Sequence, residues 1–306
     1  MEWEKFVEDA DNGTIFHLQR FFDYHPGTRF EHKHLLIKRK NRVRALFPAA
    51  EQDTPAGKVL VSHPGASYGG FVFPLDMGIR ESISVVRALL DFSKKSGFVK
   101  VSFTQAPIIY HKVLSNYIDF AVWTSGASYV KRELSAVIRA VPDPLTSFKP
   151  EARTAVRKSI RSGVTVRESQ DYARFYRILE MNLQMRHNVT PTHSLEELLT
   201  LTKLFPERIR LFCAYHGTEQ IGGIVTFECN QRAVLAFYIS HVEEHQNLRP
   251  VNLLIFELLK WVHEHGYHYL DLGTFTLRMK PDFGLAKFKE NFRARGLFRN
   301  TLEIDL

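Results

Sequence analysis

The chain has 306 residues, 44% of them hydrophobic and 24% charged, a balance that excludes a disordered or fibrous protein and leaves room for two ordinary domains. No apolar run approaches the roughly 20 residues that cross a bilayer as a helix, and the only two cysteines, Cys213 and Cys229, sit inside apolar runs, which excludes a disulfide scaffold and points to a reducing compartment. The formal net charge of +8 favours an anionic partner such as a phosphate-rich cofactor, a nucleotide-linked sugar, a tRNA or a membrane surface.

In chain order, the first thirteen residues are acidic and lack a basic region followed by an apolar stretch, so a cytoplasmic protein without a secretory leader is expected. Strands are expected near His34 to Lys40, Arg42 to Ala49 and Val59 to Val61, followed by a helix from Ile79 to Ser96 that Gly97 stops. The basic cluster Lys38, Arg39, Lys40, Arg42 and Arg44 alternates across strands, so only part of it can face one way. The stretch from Val141 to Pro150 carries three prolines. It places a boundary near 145 and gives two expected domains, 1–145 and 146–306. Beyond it Arg153, Arg157 and Arg161 fall at i, i+4 and i+8, lining one face of a helix. Both an anionic partner and a solvated helix face account for that stripe.

The second half reads most clearly. Arg210 to Tyr215, Ile221 to Cys229 and Ala233 to Ser240 are aromatic and β-branched runs separated by short polar turns, the pattern of three antiparallel strands. Pro250 suits the first position of a helix over Val251 to His265, and Gly266 supplies its stop. Tyr269 to Gly273 reads as a buried strand, with a short helix over Leu285 to Arg293 and a last strand near Leu302. Ser96 to Phe103 can be laid over His265 to Leu272, each being a helix stop, an aromatic and an alternating strand. This matching order fits a duplicated unit, and a helix, glycine and strand in succession are also common to any α/β protein.

Several of these segments together resemble the Fem aminoacyl transferases of peptidoglycan cross-bridge synthesis and their relatives in the GNAT acyltransferase superfamily. They are Ile15 to Phe22 with its Phe-His pair, the loop Ser62 to Gly70, the basic segment Arg153 to Val164, Arg249 to Leu254, Leu270 to Gly273, and Gly284 to Phe292. The resemblance implies an α/β (α+β) protein of two tandem GNAT-like domains, each a mixed, mostly antiparallel sheet flanked by helices, with a cleft between them. It implies a donor that is acyl-coenzyme A or aminoacyl-tRNA, used as a substrate with no tightly bound cofactor.

The candidate residues follow from both sources. The resemblance makes Lys289 a cationic group at the substrate cleft, able to hold a phosphate or offset charge growing on the transferred carbonyl, while Phe288 and Phe292 at i, i+4 face the core. Lys287 supports it. Asp271 lies in an otherwise apolar strand, where a carboxylate needs a partner. It is either the base that takes a proton from the attacking amine or the residue that ties down the Gly273-Thr274 loop. Tyr238 and His241, at the end of the third strand, are expected to face the same opening. Lys38, Tyr68, Gly69, Gly70, Arg153, Arg157, Arg249 and Asn252 are candidates for binding substrate. The loop carrying Gly69 and Gly70 is read as a flexible wall near substrate or as a tight structural turn. In coenzyme A-binding GNAT domains a Gly-rich basic loop cradles the pyrophosphate at the main helix. Here Glu243 to Asn252 contains no glycine, and Pro250 removes an N–H donor.

Other chemistries fail on spacing. There is no phosphate-binding Gly-x-x-x-x-Gly-Lys loop, no Gly-x-Ser-x-Gly elbow and no dinucleotide fingerprint. His32 with His34, and His263 with His265, diverge if helical, and no cysteine or carboxylate set completes a site, so no metal is expected. The leading reading is direct attack by a primary amine, on a cell-envelope precursor or nucleotide-linked sugar, upon an activated acyl carbon, driven by positioning and oxyanion stabilisation. Peripheral membrane contact and tRNA are compatible partners; DNA is not expected. The alternative is a catalytically silent double domain that binds RNA through its basic surface.

Overall fold

The computed structural model describes residues 2–25, 27, 29–187 and 190–306. The chain folds as two compact units, one of residues 1–134 with 298–306 and the other of residues 135–297. The change of unit falls inside the strand Ser128–Arg139, ahead of the proline-rich stretch, and the strand Arg295–Asp305 returns the chain to the first unit. A strand belongs to the partners it pairs with, which local composition does not reveal. The prolines instead mark the loop after it, where Asp143 caps the one-turn helix Pro144–Ser147 by accepting the Leu145 N–H at 3.2 Å. No helix among the described residues is long and apolar enough to cross a membrane.

In the first unit the sheet runs Glu31–His32, Ala50–Thr54, Gly57–Ser62, Phe98–Thr104 and the end of Arg295–Asp305. Gly57–Ser62 and Phe98–Thr104 are parallel, as the crossover helix Ile79–Lys95 between them requires. That helix buries Ser82, Val85, Val86, Leu89 and Ser93, a 3.6-residue stripe against a core of Phe47, Leu60, Phe71 and Phe103. Leu35–Arg39 and Arg42–Phe47 form a hairpin whose two turn residues, Lys40 and Asn41, both have positive φ, the requirement of a tight turn matching strand twist. Arg44 is drawn inside by Glu81 at 2.6 Å and Asp76 at 3.0 Å.

The Phe-His segment and the glycine loop make one buried knot in this unit. His17 is fully buried; its Nδ1 accepts the Thr14 N–H at 3.0 Å, so its Nε2 carries the proton and donates to the Gly69 carbonyl at 3.1 Å. Burial pushes its pKa down to about 4, leaving it a neutral structural imidazole. Gly70 has φ +80, donates its N–H to Ser62 Oγ at 2.8 Å, and a Cβ there would overlap Gln105 Oε1. Gln105 in turn brackets Phe71, accepting its N–H at 3.2 Å and donating to its carbonyl at 3.0 Å. Gly70→Ala is therefore expected to lower unfolding free energy by about 1–3 kcal/mol through strain and the Gln105 overlap. Chemical denaturation reads this directly; a change below about 0.5 kcal/mol, the range of an ordinary surface substitution, contradicts it.

The second unit has the sheet order Tyr269–Thr274, Ala233–His241, Glu219–Glu228, Ile209–His216 and Val164–Ser169, with the end of Ser128–Arg139 outside Tyr269–Thr274. Three expected antiparallel strands are present, and Val164–Ser169 adds a fourth. The helix Pro250–Glu264 crosses from Ala233–His241 to the parallel strand Tyr269–Thr274. It buries Leu253, Leu254, Ile255, Leu258, Leu259 and Val262. Cys213 and Cys229 are both buried, unbridged thiols. The two crossover helices stop alike: Ser96 and His265 cap them, and the following Gly97 and Gly266 have φ +78 and +79.

Candidate functional site

Two cavities in the second unit share a wall. The first, of about 450 Å³, lies at the start of the helix Pro250–Glu264, between the end of the strand Ala233–His241 and the helix Phe283–Asn291. Its polar lining includes Arg249, Asn252, His241, Asp282 and Lys289. The second, of about 540 Å³, is lined by Ile178, Met181 and Met185 of the helix Tyr172–His187 and rimmed by Glu180, Glu243 and Glu244. His241 and Asn182 line both, and Asn182 Nδ2 donates to the His241 carbonyl at 2.8 Å, fixing the backbone at the seam. Each cavity is in the size range of small-molecule sites, about 300–1,000 Å³.

The strand positions His241 through a β-bulge. Phe237 is the extra residue, since Ala236 faces Thr226 and Tyr238 faces Val225. The shift puts Ile239 and His241 on the side of the Pro250 helix and turns Tyr238 away. Tyr238 is buried, its hydroxyl accepting the His193 N–H at 3.0 Å and meeting His193 Nδ1 at 2.9 Å; burial pushes its pKa up to about 12. Tyr238 and His241 thus do not face one opening, because residues three apart on an extended chain point to opposite faces.

Lys289 comes from the helix Phe283–Asn291, capped by Asp282, which accepts the Leu285 N–H at 2.9 Å. Phe292 is fully buried and Phe288 packs on the same core, as their spacing predicts, while Lys287 is exposed. The Lys289 ammonium donates to three successive carbonyls, Leu272 at 2.7 Å, Gly273 at 3.0 Å and Thr274 at 2.9 Å. Asp271, with no exposed surface, accepts the Gly273 N–H of the same turn at 2.8 Å. Two buried charges of opposite sign therefore hold one left-handed turn, Gly273 having φ +71. Burial pushes the Lys289 pKa down to about 8 against the opposing pull of Asp271 and Asp282. All three ammonium protons are spent on backbone. The geometry gives Lys289 the task of shaping the cavity floor, and its charge acts on cavity contents through the field.

Asp271 lines neither cavity, and its hydrogen bond is the structural one of the two readings. Asp271→Asn keeps an acceptor for the Gly273 N–H, so turnover is expected to stay within about tenfold of the parent. A loss of a hundredfold or more at unchanged melting temperature, measured as product formed from the acyl donor and amine that the chain accepts, would restore Asp271 as the base.

The remaining candidates separate. Arg249 and Asn252 line the first cavity. Arg249 adopts φ 60 and caps the helix with its carbonyl, which accepts the Asn252 and Leu253 N–H groups at 3.1 and 3.4 Å. With Pro250 lacking a donor, little of this helix start is left to cradle a pyrophosphate. Arg153 and Arg157 lie with Arg161 along one helix, Pro150–Arg161, as their spacing predicts, and line neither cavity. Lys38, Tyr68, Gly69 and Gly70 belong to the first unit. Lys38 pairs with Glu2 at 3.4 Å, and Tyr68 is buried against Phe16 and Tyr110. The glycine loop is a packed turn. Sequence reasoning missed Asn182, Met181, Met185 and Glu180, all on the unanticipated helix Tyr172–His187. Tyr172, Phe175, Tyr176 and Leu179 carry its 3.6-residue signal.

Residues 147–290 match the sequence profile of the acetyltransferase (GNAT) domain family. That segment contains both cavities. Among solved structures, FemX superposes with TM-score 0.76 at 12% identity, over 100% of this chain and 95% of its own. The chain has the FemX fold. The C-terminal domain of a putative lysylphosphatidylglycerol synthetase from Agrobacterium fabrum matches with TM-score 0.61 at 9% identity, over 98% and 90% of the two chains. A tandem GNAT protein from the clavulanic acid biosynthesis pathway matches with TM-score 0.54 at 12% identity, over 93% and 86%. A search of curated protein sequences finds no match. The stretch of the second unit that matches the acetyltransferase (GNAT) domain profile includes the start of the Pro250 helix, which forms the first cavity.

Proposed function

We propose that the chain transfers an acyl or aminoacyl group from an anionic donor to a primary amine, with the donor carbonyl in the Arg249 cavity and the amine in the Met-lined cavity. The observation that carries this reading is the shared wall: His241 and Asn182 line both cavities. The two sides are complementary to their occupants. Arg249 and the buried Lys289 charge suit a phosphate-bearing donor, while Glu180, Glu243 and Glu244 suit an amine that arrives as an ammonium. Attack requires the amine to lose protons, and an imidazole at the seam is the side chain suited to take one near neutral pH. We assign that role to His241.

No covalent intermediate on the enzyme is required; the amine nitrogen bonds to the carbonyl carbon as the bond from that carbon to the thioester sulfur or tRNA ester oxygen breaks, and His241 takes the amine proton and passes it to the departing sulfur or oxygen, so that the donor leaves as thiol or tRNA hydroxyl. The poor phosphate cradle at Pro250 favours a donor other than coenzyme A, and aminoacyl-tRNA fits the FemX likeness. The likeness to the putative lysylphosphatidylglycerol synthetase favours an amine carried by an envelope lipid or precursor. The test is thermal melting of the parent and of Arg249→Glu with acyl-coenzyme A thioesters and with aminoacyl-tRNA. A ligand of the folded state raises the melting temperature by mass action. The reading predicts a rise with one donor that Arg249→Glu removes; no rise with either donor, or an equal rise in the variant, sinks it.

A further inference from the structure

His32, His34 and His63 lie far from the cavities in sequence and together in space: one ring nitrogen from each falls within 4.8 Å of the other two. The expectation of diverging histidines held for a helix. Residues 31 to 34 are instead extended at the edge of the first unit's sheet, with Glu31–His32 paired to Ala50–Thr54 and Lys33 N–H donating to the Ala49 carbonyl at 2.7 Å. On an extended chain residues two apart share a face, so His32 and His34 project together. His63, directly after the strand Gly57–Ser62, supplies the third ring.

From this geometry we infer that the three imidazoles bind one divalent cation of the zinc class. His63 donates its Nδ1 proton to the Pro64 carbonyl at 2.6 Å, which leaves Nε2 with its lone pair. A carbonyl on the far nitrogen is the usual support of a ligating histidine. That Nε2 lies 3.1 Å from His32 Nδ1, close to the separation of two ligands that each stand about 2.0–2.1 Å from one zinc ion. Without a cation the contact is a hydrogen bond from His32 Nδ1; binding moves that proton to His32 Nε2, so the ring stays neutral and presents a bare Nδ1. His34 Nδ1 accepts the Ala49 N–H at a long 3.3 Å, and turning this ring exchanges that bond for the third ligand bond.

The surroundings suit the assignment. Phe22 lies against His63 at 3.8 Å between ring centroids and Phe30 sits edge-on at 5.6 Å, an apolar collar that strengthens binding by excluding water. His32 is exposed, which leaves the fourth position open to water. Imidazole ligands without thiolate or carboxylate select zinc, cobalt, nickel or copper over magnesium and calcium.

The experiment uses the full chain without a histidine tag, stripped with chelator and titrated with Co²⁺. The expected result is saturation at one equivalent, with the visible absorption of a low-symmetry, four-coordinate ion, and displacement by Zn²⁺. His32→Gln, at an exposed position, is expected to melt like the parent without metal and to weaken Co²⁺ binding by about tenfold or more, as loss of a ligand demands. His63→Ala removes the spectrum. No stoichiometric Co²⁺ binding, or binding by His32→Gln equal to the parent, overturns the inference.

Discussion

Lys289→Met is expected to lose about 3–5 kcal/mol of unfolding free energy, because it strips three carbonyls of a charged donor and removes the cation that the field of Asp271 favours. The side chain is almost completely buried and its three bonds all lie at 3.0 Å or less, so relaxation and water cannot replace them cheaply. A pH signature separates this cause from lost packing. The Lys289 pKa falls in the folded chain from 10.5 to about 8. Between those values the unfolded chain holds the proton and the folded chain has released it, so ν_U exceeds ν_N and stability rises with pH. Below about pH 8 the penalty for keeping the ammonium buried is present in full. The stability advantage of the parent over Lys289→Met should therefore widen between about pH 8 and 10 by an amount on the order of 1–3 kcal/mol. Denaturant titrations of both proteins at several pH values check it, and a gap that stays flat or narrows contradicts it.

His241→Ala is expected to leave the melting temperature close to that of the parent and to reduce transfer by about a hundredfold to ten-thousandfold, the usual worth of a positioned base. His241 is only partly buried, and the groove it lines is open, so little packing is lost. Loss of the base also changes the pH profile: the rise in rate with pH that reports the base should disappear from the residual activity. A variant that melts normally and transfers at the parent rate would remove His241 from the mechanism and leave positioning alone to carry it.

The parts of this account that were legible in the sequence are those with short-range signals. Pro250 at a helix start, Gly97 and Gly266 at helix stops, and alternating runs from Arg210 to Ser240 each announce their structure within a few residues, and the resemblance put Lys289 at a substrate cleft, with Arg249 and Asn252 among the separate candidates for binding substrate. What was hidden depends on distant partners. The bulge at Phe237 decides which way Tyr238 and His241 point, and nothing in the residues from Ala233 to His241 marks it. Lys289 reads as a surface lysine or a substrate ligand until the turn from Leu272 to Thr274 is seen to take all three of its protons. Helix Tyr172–His187 has a polar-looking sequence, with Arg174, Arg177 and Arg186 among its apolar residues, yet supplies Asn182 and half of the second cavity. His63 joins His32 and His34 only through sheet pairing.

The central claim is amine acylation across the His241 seam, and product formation tests it most directly. The purified chain is incubated with labelled aminoacyl-tRNA or acyl-coenzyme A and a panel of amine-bearing envelope lipids, precursors and nucleotide-linked sugars, and new amide is read by mass spectrometry. The account predicts amide with at least one pairing for the parent and for Asp271→Asn, and its loss in His241→Ala. Tight RNA binding with no transfer from either donor, unchanged by His241→Ala, would instead make the chain a silent binding protein.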